Sequence, residues 1–223
     1  MRIFLDTGNI EQIKKGLEWG ILDGVTTNPS LLAKEGKPYQ DQVLEICGLV
    51  GNRPVSVEVL TNTTEEIIRQ GMEIASWAEN IVVKVATTPE GLPAIHYLSQ
   101  KGIAVNATLI FSAPQGFLAI KAGAKYVSPF IGRLDDIGGD GVGVVSDLVD
   151  FVETYGYPSE VLAASIRHPT HVMEVAKAGA HIATIPYDVL MKLIRHPLTD
   201  TGLEQFLRDW KAVEDKLKKI PIR

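Results

Sequence analysis

An α/β protein, specifically a single TIM-type (β/α)8 barrel, is the fold class that this chain of 223 residues predicts. Three observations carry it. Short apolar, β-branched runs centre near Ile3, Val25, Val57, Val83, Val105, Val127, Ala163 and Ile185, with helical patterns between them. The successive intervals are 22, 32, 26, 22, 22, 36 and 22 residues, each enough for one helix and two short loops. An open doubly wound sheet seldom needs eight strands with so few residues between them, so closure is expected. No low-complexity stretch or long linker interrupts the series, and residues 1–223 read as one domain.

Taken in order, the first strand around Ile3 ends at Asp6, and Asn9 reads as the cap of a helical pattern at 9–18. The second strand, Gly24-Val25-Thr26, runs into Asn28-Pro29, with Ser30 as the expected cap beyond it. A pattern at 40–50 leads to the third strand around Val57. Thr63, with Glu66 three residues on, has the spacing of a capping box for the pattern at 63–77. The fourth strand is Ile81-Val82-Val83-Lys84-Val85; Thr88 reads as the next cap, before a pattern at 89–100. The fifth strand around Val105 is followed by Ser112 as a cap and a pattern at 112–122. The sixth, around Val127, precedes a pattern at 142–155, and the seventh, around Ala163, precedes one at 170–178. Gly102, Gly123 and Gly179 fall where helices should end in the left-handed conformation. An internal echo supports the repeat: Lys121-Ala122-Gly123-Ala124 and Lys177-Ala178-Gly179-Ala180 both lead into a strand that ends near proline. After the eighth strand, residues 203–219 form an additional amphipathic C-terminal helix with a basic end at Lys216, Lys218 and Lys219.

Composition narrows the partners. A net charge of -5 gives no reason to expect nucleic acid or an anionic membrane. No apolar run is long enough to span a bilayer, and Met1-Arg2 passes directly into a strand without a secretory leader. The single cysteine, Cys47, lies on an apolar helical face and reads as core. The expectation is a cytoplasmic protein that acts on a small molecule.

The chemistry should lie at the C-terminal ends of the strands, where parallel barrels place their active sites. Lys84 is the most informative residue, because a lysine inside a strand buried on both faces is almost never there without a partner or a task. A desolvated lysine is a candidate amine nucleophile for Schiff-base chemistry. The other strand ends supply Asp6, Thr26, Asn28, Glu58, Asn106, Thr108, Ser128, Arg133, Ser165 and Arg167. Each has a bland reading alone, such as a cap, a turn or a satisfied core hydroxyl. Their convergence on one end of one barrel points to carbonyl chemistry through an iminium. Lys84 would attack a ketone, and Asp6 would serve as acid and base for the alcohol freed by carbon–carbon cleavage. Glu58 and Thr108 would hold the water that makes and breaks the imine. Asn28, Asn106 and Ser128 would bind substrate hydroxyls, and Arg133 and Arg167 with Ser165 would take a phosphate.

At these residues the chain resembles the transaldolase family, in size and layout the small subgroup shared with fructose-6-phosphate aldolases. The blocks that carry the resemblance include Gly24-Val25-Thr26-Thr27-Asn28-Pro29-Ser30-Leu31, Val82-Val83-Lys84-Val85, Asn106-Ala107-Thr108-Leu109-Ile110-Phe111 and Tyr126-Val127-Ser128-Pro129-Phe130-Ile131-Gly132-Arg133. The resemblance implies a class I enzyme without metal or cofactor, with Lys84 as the Schiff-base lysine and sugar phosphates as substrates. It implies transfer of a dihydroxyacetone unit between sugar phosphates in the non-oxidative pentose phosphate pathway. It also implies a homo-oligomer, a pentamer or decamer, that uses the C-terminal helix. Fructose-6-phosphate aldolases carry glutamine at the position of Glu58 and tyrosine at that of Phe130, and here the chain has the transaldolase residues. Release of free dihydroxyacetone remains the alternative activity. Ala86 stands where the family usually has proline, and Gly8 where it commonly has alanine.

Other classes are weaker. The histidines, among them His168 and His171, lack zinc-protease spacing; Asp135-Asp136 with Asp140 could suggest a magnesium site, but the resemblance implies salt bridging or capping for them. Gly139-Asp140-Gly141-Val142-Gly143 lacks dinucleotide-loop spacing. A barrel that binds sugar phosphate without catalysis is distinguished by the fate of Lys84.

Overall fold

The computed structural model describes residues 1–217, and in it eight parallel strands close into a barrel in sequence order. The elements are β1 (Arg2–Asp6), α1 (Ile10–Glu18), β2 (Gly24–Thr26), α2 (Pro29–Ala33), α3 (Tyr39–Val50), β3 (Val55–Glu58), α4 (Thr64–Ala75), β4 (Ile81–Ala86), α5 (Gly91–Gln100) and β5 (Val105–Ile110). They continue with α6 (Ala113–Lys121), β6 (Tyr126–Pro129), α7 (Ile131–Asp135), α8 (Gly141–Tyr155), β7 (Glu160–Ala163), α9 (Pro169–Lys177), β8 (Ile182–Ile185), α10 (Tyr187–Ile194) and α11 (Pro197–Leu217). All eight strands lie where the apolar runs predict them. Two short helices, α7 and α10, have no predicted counterpart, and α2 is foreshadowed only by its expected cap, because five to eight residues are too few to show a period. The C-terminal helix begins at Pro197, ahead of the expected 203, and the basic end expected around Lys218 and Lys219 lies outside the described residues.

The barrel divides by side-chain parity. Leu5, Val25, Val57, Val83, Val85, Val105, Ala107, Val127 and Ile185 face outward into the main apolar core under the helices. Their neighbours in sequence face inward. The lower part of the interior is an apolar plug of Phe4, Val82, Tyr126, Leu162 and Ile182, with Phe4 and Tyr126 edge to face at 6.0 Å. Gly24 leaves room for that plug, since a β-carbon there would sit 2.6 Å from the Phe4 ring. One pleat higher, the inward positions are polar: Asp6, Thr26, Lys84, Asn106, Ser128 and Thr184. The register aligns Asp6 with Thr26, and Glu58 with Lys84 and Lys84 with Asn106. Functional groups on neighbouring strands therefore arrive at one height.

Of the five caps expected, Asn9 and Ser112 form as read. The side chains of Asn9 and Ser112 accept from Gln12 N and Gln115 N. Ser30 is not a cap. Asn28 is, accepting from Leu31 N at 3.0 Å, because Pro29 at the first helical position starts the helix two residues earlier. The Thr63 hydroxyl bonds the Glu66 carboxylate (3.0 Å) rather than the main chain, so the box is not closed in its usual form. Thr88 accepts from Gly91 N at 2.9 Å, ahead of α5. Gly102, Gly123 and Gly179 have φ of 75°, 97° and 81°, the conformation expected of helix-ending glycines. Cys47 is buried in the core, where burial pushes its thiol up to about 11.

Candidate active site

Lys84 projects into the polar upper layer, with only 5% of its surface exposed. Its amine donates to the Thr27 carbonyl (3.2 Å) and lies 3.1 Å from a Glu58 carboxylate oxygen. A buried ammonium without such a partner would carry a heavy desolvation cost. Glu58 is held from behind by Tyr39, whose hydroxyl donates to the Glu58 carbonyl at 2.7 Å. The Phe130 ring centroid lies 6.0 Å from the amine and also 5.0 Å from the Arg133 guanidinium carbon, so one ring face neighbours both cations.

Asp6 sits across the barrel. The Thr26 hydroxyl donates to its carboxylate at 2.7 Å, and the Thr184 hydroxyl lies 2.6 Å from that of Thr26. With the Thr26 proton committed to Asp6, Thr184 is the donor in the second bond. Burial raises the Asp6 pKa; the charge of Lys84 and the bond from Thr26 oppose the rise, and Glu58 adds to it. On the far wall Ser128 donates to Asn106 (2.6 Å), which in turn donates to Ser56 at 3.1 Å. That chain fixes which face of the Asn106 amide is presented.

The rim is built by close backbone approach. The amides of Ile131 and Gly132 donate to the carbonyls of Ala164 and Ser165 at 3.0 and 3.1 Å, which docks α7 against the end of β7. Gly132 permits this, since a β-carbon there would lie 2.2 Å from the Ser165 carbonyl oxygen. Ser165 takes φ of 60°, a conformation rare for residues other than glycine and often found at functional sites. Arg133 and Arg167 thereby face the same cavity, and Arg167 is paired with Asp136 at 3.0 Å.

A cavity of about 200 Å³ collects Asp6, Thr26, Asn28, Lys84, Asn106, Ser128, Phe130, Arg133, Ser165 and Arg167, ten of the residues expected from sequence. Glu58 lines an adjoining cavity that also contains Lys84, Phe130 and Arg133. Thr108 lines neither. It is buried, its hydroxyl without a hydrogen-bond partner among the described residues, just before a register shift at which Leu109 takes φ of 56°. Sequence reasoning missed Thr184 and Tyr39. Thr184 was open to discovery, since strand alternation from Ile182 points it inward; Tyr39 acts through a contact across 19 residues and leaves no local pattern.

The three aspartates at 135, 136 and 140 each have a protein partner. Asp135 bonds His171, Asp136 bonds Arg167, and Asp140 caps α8 by accepting from Gly143 N. Among the described residues no group of three His, Cys, Asp or Glu side chains is placed to share a metal ion. Gly141 serves packing, as a β-carbon there would lie 2.5 Å from the Ile131 α-carbon. Among the described residues no helix is long and apolar enough to cross a membrane.

A parallel eight-stranded barrel with a lysine, two carboxylates and two arginines gathered at its C-terminal mouth defines an enzyme of the aldolase kind. Residues 3–220 match the model of the transaldolase/fructose-6-phosphate aldolase family, and the chain belongs to that family. A probable transaldolase of Hydrogenobaculum is 53% identical over 97% of this chain and 99% of its own. One from Herpetosiphon aurantiacus is 54% identical over 96% and 97%, and one from Methanococcus maripaludis 53% over 95% and 98%. Among solved structures, a thiamine phosphate pyrophosphorylase from Pyrococcus furiosus superposes with a TM-score of 0.59 at 15% identity, over 86% of this chain and 93% of its own. That likeness speaks to the fold alone.

Proposed function

We propose that the chain is a transaldolase that moves a dihydroxyacetone unit between sugar phosphates through a Schiff base on Lys84. The reaction would take sedoheptulose 7-phosphate and glyceraldehyde 3-phosphate to erythrose 4-phosphate and fructose 6-phosphate, in the non-oxidative pentose phosphate pathway. The observation that carries the reading is the buried Lys84 amine, 3.1 Å from Glu58 at the head of a cavity rimmed by Arg133 and Arg167.

Glu58 accepts the ammonium proton, and the free amine attacks the ketose C2 carbonyl. The carbinolamine loses water to give a protonated imine, with Glu58 and Thr108 handling that water. Asp6 accepts the C4 hydroxyl proton as the C3–C4 bond breaks. The bonding electrons flow to the iminium, leaving an enamine on Lys84 and a free aldehyde. The acceptor aldehyde is attacked by the enamine, Asp6 returns the proton to the new hydroxyl, and water releases the product. Thr26 orients Asp6; Asn28, Asn106 and Ser128 bind sugar hydroxyls; Phe130 seats Arg133. Arg133, Ser165 and Arg167 bind the phosphate. The reading needs no metal or cofactor. It includes a cytoplasmic location and assembly into a homo-oligomer through the C-terminal helix.

The test is borohydride reduction with fructose 6-phosphate, followed by peptide mass spectrometry. A reduced adduct on Lys84, lost together with turnover in a folded Lys84→Met variant, is expected. An unmodified Lys84 would leave a barrel that only binds sugar phosphates. In the same preparation, erythrose-4-phosphate-dependent consumption of fructose 6-phosphate should outpace condensation of free dihydroxyacetone with glyceraldehyde 3-phosphate. The reverse order would make the protein a fructose-6-phosphate aldolase despite Glu58 and Phe130.

A further inference from the structure

Behind the two arginines lies a cluster that the proposed chemistry does not use. His171, in the first turn of α9, is 4% exposed. Its Nε2 lies 2.8 Å from the Asp135 carboxylate, and its Nδ1 accepts from the Arg167 main-chain N–H at 3.2 Å. An imidazole that accepts at Nδ1 carries its proton on Nε2, so the ring is neutral and donates to Asp135. Both nitrogens are committed, which leaves none to move a substrate proton. Asp135 also accepts from Gly141 N at 3.2 Å, and His168, the cap of α9, has its ring centroid 3.7 Å from that of His171. One buried ring thus joins three segments: α7 with Arg133, the loop with Ser165 and Arg167, and α9.

The loop needs such a fastening. Ser165 holds a strained left-handed conformation that persists only where its surroundings enforce it. The Arg167 side chain is half exposed, and its ion pair with Asp136 is exposed on both sides, which makes a weak anchor. The Gly132 amide holds the Ser165 carbonyl, and the partly buried bond from the Arg167 main chain to His171 ties the far end of the loop to α9.

We propose that Asp135 and His171 are a positioning pair for the phosphate cradle: Asp135 fixes the ring, and the ring fixes the Arg167 backbone so that Ser165 and Arg167 stay aligned with Arg133. This rests on the reading of Arg133, Ser165 and Arg167 as the phosphate site. It requires an acceptor at the Nδ1 position above all.

Two variants separate the contacts. His171→Gln places an amide donor near the Nε2 position and removes the acceptor for Arg167; His171→Asn keeps an acceptor near Nδ1. Inorganic phosphate is the probe, titrated against the thermal unfolding of each protein, alongside steady-state kinetics with fructose 6-phosphate. His171→Gln should weaken phosphate binding about five- to tenfold and raise KM by the same factor, with kcat within about twofold. His171→Asn, which keeps the acceptor but gives up the bond to Asp135, should lose only about two- to threefold in phosphate affinity and KM, with kcat within about twofold. Wild-type affinity in His171→Gln, or an equal loss in both variants, overturns the proposal. The outcomes also part it from the reaction assigned above. If phosphate fails to stabilise even the wild-type protein, the cradle and its positioning pair fall while a trapped Lys84 stands. If phosphate binding follows the variants but Lys84 is never trapped, the pair stands and the Schiff base falls.

Discussion

Asp6 and Lys84 share a polar layer only one residue deep, so each hydroxyl and carboxylate in it shapes the others. Burial raises the Asp6 carboxyl, and the Thr26 hydrogen bond holds it back. A base must be ionised to accept the C4 hydroxyl proton, so the rate of bond cleavage should rise with pH through the Asp6 pKa. Thr26→Val removes a donor that favours the ionised form and should move that acidic limb to higher pH. Thr184→Val, which frees Thr26 from a partner but leaves its bond to Asp6, should move the limb the same way by less. A pH–rate profile of kcat decides it; an unmoved limb in Thr26→Val would show that Asp6 is not the group being titrated. Much of this layer was legible beforehand. Asp6, Thr26, Lys84, Asn106 and Ser128 are strand-end residues that alternation turns inward. Tyr39 and His171 were not legible in these roles, because each meets a partner on a distant element, Tyr39 the Glu58 carbonyl of β3 and His171 the Asp135 carboxylate of α7.

At the scale of elements, the phosphate rim depends on how closely α7 approaches the end of β7. Gly132 is the point of contact, with no room for a β-carbon against the Ser165 carbonyl (2.2 Å) or the Arg167 γ-carbon (2.6 Å). Gly132→Ala should push α7 away and part the two arginines. The expected result is a rise of about tenfold in KM for fructose 6-phosphate and a loss of about 1–3 kcal/mol in stability by thermal or denaturant unfolding. An unchanged KM would mean that the rim tolerates the shift. Neither α7 nor α2 shows a helical period, yet both carry or follow site residues, Arg133 in one and Asn28 as the cap of the other. The shift after Thr108 is equally hidden, since Ala107, Leu109 and Ile110 continue an unbroken β-branched and apolar run. Its cause is the fit between β5 and β6, a property of the pair and not of either strand.

The whole molecule adds one surface to this account. Along α11, Leu203, Phe206, Leu207, Trp210 and Val213 are exposed, at the spacing of one helical face. A stripe of that size is costly in water and suits a surface shared between copies. Sedimentation should therefore give a mass well above the 24.3 kDa of one chain. Phe206→Glu with Trp210→Glu should shift the protein toward monomer; a monomeric wild type, or an assembly unmoved by both charges, would refute the oligomer.

The number and order of strands, the parity that sends valines outward and polar residues inward, and the identity of the buried lysine can all be read along the chain. These depend on a period of two and on spacings of about one βα unit, both local properties of the chain. Which of those residues meet is settled by the closed barrel. Thr26 reaches Thr184 across 158 residues because β1 closes the barrel between them, and Arg167 finds Asp136 because α7 docks at the mouth. Closure is a property of all eight strands together, and it converts a row of polar strand ends into a single cavity around Lys84.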